Sequence, residues 1–589
     1  MNRSEFRGAR KNPHMSAIRF EDIEPLLGGV KCFGFDVFDT LILRPFMRPD
    51  DLFSYLEDRE SAEGFKKERI NAERRARREI HEEAGIDEIY SLMDRKFMRM
   101  RDPEIEAERR LTFADPHMKE LYDRVIALGI DVIMISDMYL PEDSIVHILE
   151  KNGYTGYRKV YVSNECRRNK HSGKLFDVVL EDMKIRPEEM FFIGDNAHSD
   201  HKVPMDLGIK AVRYVPAKER YARLHKNEMR FYNGRRCFGS SVIVGLDMLR
   251  WVREPCHDYW YDIAYRFGGP VSSFFTRFII SNITKDTGTI LFISRDGYNL
   301  QKIYEILSGD PIDNHYVYAS RMFAVIFGGN ITDNKDCAEC LFEHFSDAED
   351  IKMLGLPETL SVNDRLAIIR DNTEIFKRLL EKERERYSEY LSGKVCRNGD
   401  ILLVDVTTKK YSSQRLIHKM LWPRHRITGC YYNLLAHGNF EHSAYADRSG
   451  FGLNWNEVNI SEFFLGSPEA PVSDVTADGV PVFRKDIDES ELFRMSIYEN
   501  VTRGELDYAA DLKAVFTDDI PNIRSDVLDG WIRGLVKDKG SYGPGRLSDI
   551  RWAPDTMHNR YRSLIFGPKE VPYMLMDKLK DLIYRIKTK

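Results

Sequence analysis

Four short stretches, each closing an apolar run, bring together the residue types that handle a phosphoryl group. KCFGFDVFDTLIL (31–43) places Asp36 at the end of a strand-like run, with Asp39 and Thr40 behind it. DVIMISDM (131–138) ends in Ser136 and Asp137, SNECRRNKHSGKLF carries Lys170, and FFIGDNAHSD supplies Asp195, Asn196 and Asp200. A carboxylate can act as a nucleophile. A hydroxyl and an ammonium can hold phosphoryl oxygens, and further carboxylates can hold a hard divalent cation that screens one anion from another. Singly, each residue has an ordinary explanation: a strand-end Asp can cap a helix, and a loop Ser or Lys can simply be solvated. Their order, each at the end of an apolar run, is the signal.

The elements needed to position them are those of a parallel sheet. Between residues 30 and about 220, strand-like runs (KCFGFDVF, DVIMISDM, KVYVS, EMFFIGD, KAVRYV) alternate with helical stretches, the pattern of an α/β layer whose ligands lie at the C-terminal strand ends. A long insertion, 46–116, reads as helical, since residues 52–85 are rich in Glu, Arg, Lys and Ala and contain no proline. The basic block from Lys66 to Arg78 within it is expected to be a solvated face laced with i,i+4 pairs rather than an anion site. Beyond 225, the runs TILFISRDG, YVYASR and DILLVDV predict a second α/β domain over 226–425, followed by a mixed region, 426–589, that packs on it. Residues 1–29 form an N-terminal segment.

At 589 residues the chain is too long for one core. Its net charge of −6 gives no general attraction to nucleic acid or an anionic membrane. No apolar run approaches the roughly 18 residues a membrane helix requires, and the basic N-terminus lacks a signal-peptide core. A cytoplasmic protein without a membrane span is expected. The eight cysteines are scattered, as reduced thiols would be. Cys337 and Cys340, with His344 four residues on, form half a zinc site at most and are expected to be helix-surface residues. The C-terminal stretch 570–589 reads as an amphipathic basic helix that packs onto the domain.

With these four motifs in order, residues 30–225 resemble the haloacid dehalogenase superfamily, the aspartate-nucleophile hydrolases, most of which are phosphatases. The resemblance implies a Rossmann-like core (30–45 and 117–225) with a helical cap (46–116). It makes Asp36 the nucleophile, Ser136 and Lys170 the phosphoryl-binding groups, and Thr40, Asp137 and Asn196 further substrate contacts. Mg²⁺ would be held by Asp36, the Phe38 carbonyl, Asp195 and Asp200. Phosphatases of this superfamily usually carry Asp-x-Asp, the second Asp serving as general acid and base; here Phe38 stands in its place. Three readings stay open: Asp39 does that work from an altered backbone position, the leaving group needs no proton, or the site is slow, specialised or regulatory. A turn-capping role is the expectation for the Asp39 side chain itself.

The whole chain also resembles large bacterial predicted hydrolases of this superfamily with an added C-terminal α/β region, often linked to surface polysaccharide assembly. That resemblance implies a phosphorylated sugar or related metabolite as substrate, with glycan-assembly enzymes as partners. In the second half, Arg295, Asp296, Arg321 and Asp405 follow or end strand-like runs and are candidates for a second site, with a buried ion pair between Asp296 and an Arg as the alternative. A non-catalytic phosphate-binding scaffold, or a transferase in the second half, are the rival functional classes.

Overall fold

The structure, a computed structural model, describes residues 18–254 and 258–537 apart from gaps at 320, 329–330, 333–334, 346–347, 358–359, 451–453, 477 and 486. Beyond 537 it describes only residues 547, 550–552 and 562–565. The predicted C-terminal helix 570–589 lies outside the described residues. The chain divides into two compact units, Met1–Cys256 and His257–Lys589. Both are α/β with parallel sheets.

The first unit is built on β1 (Cys32–Phe35), β4 (Asp131–Ser136), β5 (Lys159–Val162), β6 (Met190–Gly194) and β7 (Lys210–Arg213), in the order β5-β4-β1-β6-β7. All pair in parallel, with Phe35 in register with Met134 on one side and Ile193 on the other. A central strand covered on both faces must be apolar throughout, and all four residues of β1 are buried. The chain runs outward from β1 through β4 and β5, then crosses back to β6. This makes the β1/β6 boundary the point where the connections diverge and a crevice opens.

The insertion leaves this sheet through a two-stranded neck, β2 (Ile42–Leu43) antiparallel to β3 (Phe113–Ala114). Between them lie helices Asp51–Arg59, Phe65–Glu79, Ile86–Ser91 and Arg101–Arg110. Their cohesion includes a buried polar cluster. The Arg69 guanidinium, fully buried, donates to Glu104 at 2.8 and 2.9 Å, and the Tyr90 hydroxyl donates to the same carboxylate at 2.8 Å. The guanidinium also lies over the rings of Tyr139 and Phe53, at 4.6 and 4.7 Å. Part of the basic block expected to be solvated is therefore interior, because Glu104 is there to receive it.

The first unit also extends past 225. Helices Ala217–Leu224, Lys226–Arg235 and Phe238–Arg253 belong to it. The Ser241 hydroxyl accepts the Met47 N–H at 2.8 Å. A Cβ on Gly245 would sit 2.3 Å from the Pro45 carbonyl oxygen, so the backbones meet there only because that residue is glycine.

The second unit holds β8 (Thr287–Ile293), β9 (Asn314–Val317), β10 (Asp400–Thr408), β11 (Ile427–Leu434) and β12 (His442–Asp447), parallel throughout, in the order β12-β11-β10-β8-β9. The expected division at 425 is not observed, since β11 and β12 continue the sheet that β8 begins. Cys337 and Cys340 are not helix-surface residues. Both are buried in an apolar cluster with Phe323, Phe327 and Leu341, and His344 pairs with Glu383 at 3.5 Å. Among the described residues, no helix is long and apolar enough to cross a membrane.

The Arg69–Glu104 pair generates a stability prediction. Glu104→Ala leaves a buried guanidinium without its main counter-charge and should destabilise the first unit by about 3–5 kcal/mol, whereas replacing both partners by apolar residues of similar volume should be far milder. Calorimetric unfolding of the three proteins checks this; equal losses in the single and double variants would contradict it.

Candidate active site

Asp36 is the first residue past β1. Its N–H is tied to the Ile193 carbonyl at 2.9 Å, so the β1/β6 ladder fixes its backbone. Its carboxylate is held from two sides: Lys170 Nζ donates to Oδ1 at 2.5 Å, and Thr40 Oγ1 donates to Oδ2 at 2.8 Å. Lys170 also reaches Asp200 Oδ1 at 2.7 Å, and its own N–H is received by Asp137 at 3.1 and 3.2 Å. Asp36, Lys170 and Asp200 are all buried.

Asp200 is placed by the turn after β6. Asn196 caps that turn, its side-chain oxygen accepting from His198 and Ser199 N–H at 2.9 and 3.2 Å, while its own N–H donates to Asp200 Oδ2 at 3.0 Å. A Cβ on Gly194 would lie 2.6 Å from the Asp200 side chain, so the glycine of FFIGD is what lets this carboxylate fold back against the strand end. Oxygens of Asp36, Asp195 and Asp200 come within 4.8 Å of one another.

Asp36 and Asp200 share the Lys170 ammonium, and Asp195 lies beside them. Burial first, and then the charges of Asp200 and Asp195, push Asp36 up to about 8 against the pull of Lys170. Burial, Asp39 and Asp200 push Asp195 up to about 6. The Asp195 carboxylate makes no hydrogen bond among the described residues. One ammonium does not neutralise this cluster, and an all-oxygen donor set of this kind suits a hard divalent cation.

These groups form the floor of a cavity of about 700 Å³. Ser136, at the end of β4, lines it, and its hydroxyl makes no hydrogen bond within the described residues, leaving it available to a ligand. Phe38 and Asp39 also line it. The Arg44 guanidinium stands 4.1 Å from the Phe38 ring centroid and donates to Glu108 at 3.0–3.3 Å, and Glu108 in turn accepts from the Tyr139 hydroxyl at 2.9 Å.

Asp39 sits in the left-handed region, at φ 61°, which Asp tolerates better than most residues. Its side chain does not cap the turn as expected. Backbone bonds from Leu41 and Ile42 to the Val37 carbonyl, both 2.9 Å, close that turn, and the Asp39 carboxylate pairs with Lys218.

Two expected substrate contacts have other duties. Thr40 is wholly buried and spends its hydroxyl on Asp36. The Asn196 oxygen is used as a helix cap, although the residue borders the cavity. Asp137 borders it too, with burial raising its carboxyl, and its clearest role is to hold the Lys170 backbone. Sequence reasoning missed Arg44, Phe53, Arg74, Glu108, Tyr139 and Lys218, all but the last at the cavity wall. For Arg74 the signal was present: Ile70, Glu73, Arg74 and Arg77 repeat at i, i+3, i+4 and i+7, one face of a helix.

In the second unit, Asp296 follows β8 and Asp405 lies in β10, the two strands between which the connections diverge. Among the described residues, Asp296 forms no ion pair with an Arg, the alternative that the sequence left open. Arg295 pairs with Glu491, which also accepts from Arg494 at 2.7 Å. Burial and the nearby charges of Asp405 and Glu462 push the Asp296 carboxyl well above its usual range. Asp405 and Glu462 thus bring negative charge toward Asp296, and Arg295 and Arg494 bring positive charge. Arg321 opens the helix Arg321–Gly328, and its side chain lies outside the described residues. His344, Glu383 and Asp474 also come within 4.8 Å of one another, but Arg386 donates to both carboxylates and supplies the positive charge there.

No protein-family profile matches the chain, and no curated protein matches it. Among solved structures, a HAD-family enzyme of Bacteroides thetaiotaomicron, in complex with magnesium and inorganic phosphate, is similar at 21% identity over 31% of this chain and 93% of that one, with a TM-score of 0.24. L-2-haloacid dehalogenase from Xanthobacter autotrophicus is similar at 15% identity over 31% of this chain and 77% of that one, TM-score 0.24. A predicted phosphoglycolate phosphatase from Haemophilus somnus is similar at 16% identity over 31% and 83%, TM-score 0.23.

The carboxylate cluster predicts a cation dependence. Mg²⁺ should raise the thermal midpoint of the first unit, and Asp195→Asn should weaken cation binding by more than the roughly 10-fold that loss of an outer-shell partner costs. Because the Asp195 carboxylate makes no hydrogen bond among the described residues and its charge is opposed by burial, Asp39 and Asp200, the variant without the cation should be at least as stable as the parent. Undiminished cation binding by the variant would place the ion elsewhere.

Proposed function

We infer that the first unit is a Mg²⁺-dependent phosphatase of the haloacid dehalogenase superfamily, acting on a small phosphorylated metabolite with Asp36 as nucleophile. The observation that carries this reading is the buried Asp36 carboxylate, bonded by Lys170 and Thr40 at the strand end, with Asp195 and Asp200 within 4.8 Å of it on the floor of the cavity. The motif resemblance, which rests on the same residues, agrees with it. The donor set fits the metal: Asp36, Asp195 and Asp200 would hold Mg²⁺, which when bound supplies positive charge to the phosphoryl oxygens and keeps the carboxylates ionised.

The residues of this chain then divide the work. Thr40 orients the Asp36 carboxylate so that one oxygen faces the phosphorus. That oxygen forms the new bond as the bond to the leaving group breaks, giving an aspartyl-phosphate. Lys170 offsets charge on the phosphoryl oxygens, and the Ser136 hydroxyl donates to one of them. Water then attacks phosphorus and regenerates the carboxylate. Asp39, the acidic side chain next to Phe38, borders the same cavity, and its ion pair with Lys218 suits it to take a proton from the attacking water rather than to give one to the leaving group.

A sugar phosphate of glycan assembly as substrate, glycan-assembly enzymes as partners and a bacterial source rest on the near-full-length resemblance alone, and a cytoplasmic location rests on the sequence features given above. A second reading, a slow or non-catalytic phosphate-binding scaffold, is favoured by one observation: the place of the usual acid is filled by Phe38, with a guanidinium over its ring.

Asp36→Asn should abolish Mg²⁺-dependent phosphate release while the protein stays folded; release that survives would overturn the nucleophile assignment. Phe38→Asp separates the two readings further. If a missing acid limits the site, this change should raise turnover of an alkyl phosphate by about 10- to 100-fold, toward the 10²–10⁴ that positioned acid–base groups contribute, and that of an aryl phosphate much less. Rates unchanged or lower on both would mean that Asp39 already supplies the proton or that the pocket needs the ring.

A further inference from the structure

The helix Phe65–Glu79 buries Phe65, Arg69, Ala72 and Ala76 and turns Ile70, Glu73, Arg74 and Arg77 to the cavity. Its cations have different fates. Arg69 is taken by Glu104 and by Glu73 at 2.9 Å. Arg75 donates to Glu68 at 2.9 Å and to the Leu92 carbonyl at 2.5 Å. Arg77 donates to Glu73 at 3.0 Å and to the Glu82 carbonyl at 2.9 Å. Glu73 is thus matched on both sides.

Arg74 is exposed at the cavity wall, and its guanidinium has no acceptor among the described residues. On the same wall Arg44 is satisfied by Glu108. The lid therefore presents one uncompensated positive charge. The floor presents the carboxylates around Asp36, and the apolar side chains of Phe53 and Ile70 also line the cavity. A volume of about 700 Å³ is far more than a phosphoryl group fills and is in the range of sites for whole small molecules.

Resting on the phosphoryl-transfer reading of the floor, the geometry points to a substrate with a second anionic group, a carboxylate or a second phosphate on a carbon skeleton, for which Arg74 is the receptor and specificity-determining residue. The planar fork of a guanidinium suits either oxyanion, in paired hydrogen bonds. Burying the skeleton against Phe53 and Ile70 adds apolar contact without reading its identity. The basic helix that the sequence presents as a solvated face then has one member with a ligand-directed role.

Phosphonates, whose P–C bond this chemistry does not cleave, separate recognition from turnover. The full-length protein with Mg²⁺ is titrated calorimetrically with alkylphosphonates of three to six carbons and with the matching ω-carboxyalkylphosphonates. At the chain length that spans the cavity, the carboxylate-bearing member should bind about 10- to 100-fold more tightly, the range of a charge-assisted hydrogen-bond pair. Arg74→Ala should remove that gain and leave alkylphosphonate affinity unchanged. Arg74→Lys should restore part of it, and Arg78→Ala, exposed and away from the cavity wall, should not alter it. Equal binding within every matched pair, or a gain that survives Arg74→Ala, overturns the inference while the phosphoryl site stands. If neither member of any pair binds, the phosphoryl reading falls and this inference falls with it.

Discussion

Lys170 brings one ammonium to the end of a parallel sheet, 2.5 Å from Asp36 and 2.7 Å from Asp200, and the first unit is arranged around that shortage of positive charge. Buried carboxylates that outnumber their counter-charge are tolerated only where a ligand completes the balance or where protons are taken up. Burial and mutual repulsion hold the carboxyls of Asp36 and Asp195 above their ordinary range. A divalent cation held by these carboxylates would reverse that balance, so that its binding and the ionisation of Asp36 would be parts of one equilibrium.

The fold supplies the constraint that brings these groups together. Because β1, β4, β5 and β6 run parallel, their C-terminal ends meet on one edge, and Asp36, Ser136, Lys170 and Asp195 arrive there from four separate connections. The lid is held by a different kind of interaction, two buried Arg–Glu pairs, Arg44–Glu108 and Arg69–Glu104, both in contact with Tyr139 through a hydrogen bond or a ring face. Such pairs add little net stability but tolerate the loss of one member poorly. They fix the geometry of the lid more than they strengthen it.

The strands of the first unit were legible because a central parallel strand leaves a continuous apolar run, and the floor residues were legible because each ends one. The lid wall was harder to read. Whether an arginine in a helical block is solvated, paired inside or aimed at a ligand depends on partners 35 residues away, as with Arg69 and Glu104, and no local pattern reports that. Thr40 shows the reverse error: its place in the motif suggested substrate contact, while the fold turns its hydroxyl onto Asp36. The extent of the first unit to 256 was hidden for a similar reason, since Gly245 and Ser241 declare their role only against Pro45 and Met47. In the second unit the strand ends were visible, but not that Arg295 would choose Glu491 over Asp296.

The most direct test of the account is the chemical state of residue 36 during turnover. The protein is mixed with Mg²⁺ and acetyl phosphate, quenched in acid and reduced with borohydride, which converts an aspartyl-phosphate to homoserine; the peptides are then read by mass spectrometry. The account predicts homoserine at position 36, dependent on both the phosphate donor and the cation. Phosphate release with Asp36 unmodified, or reduction at a different carboxylate, would contradict it.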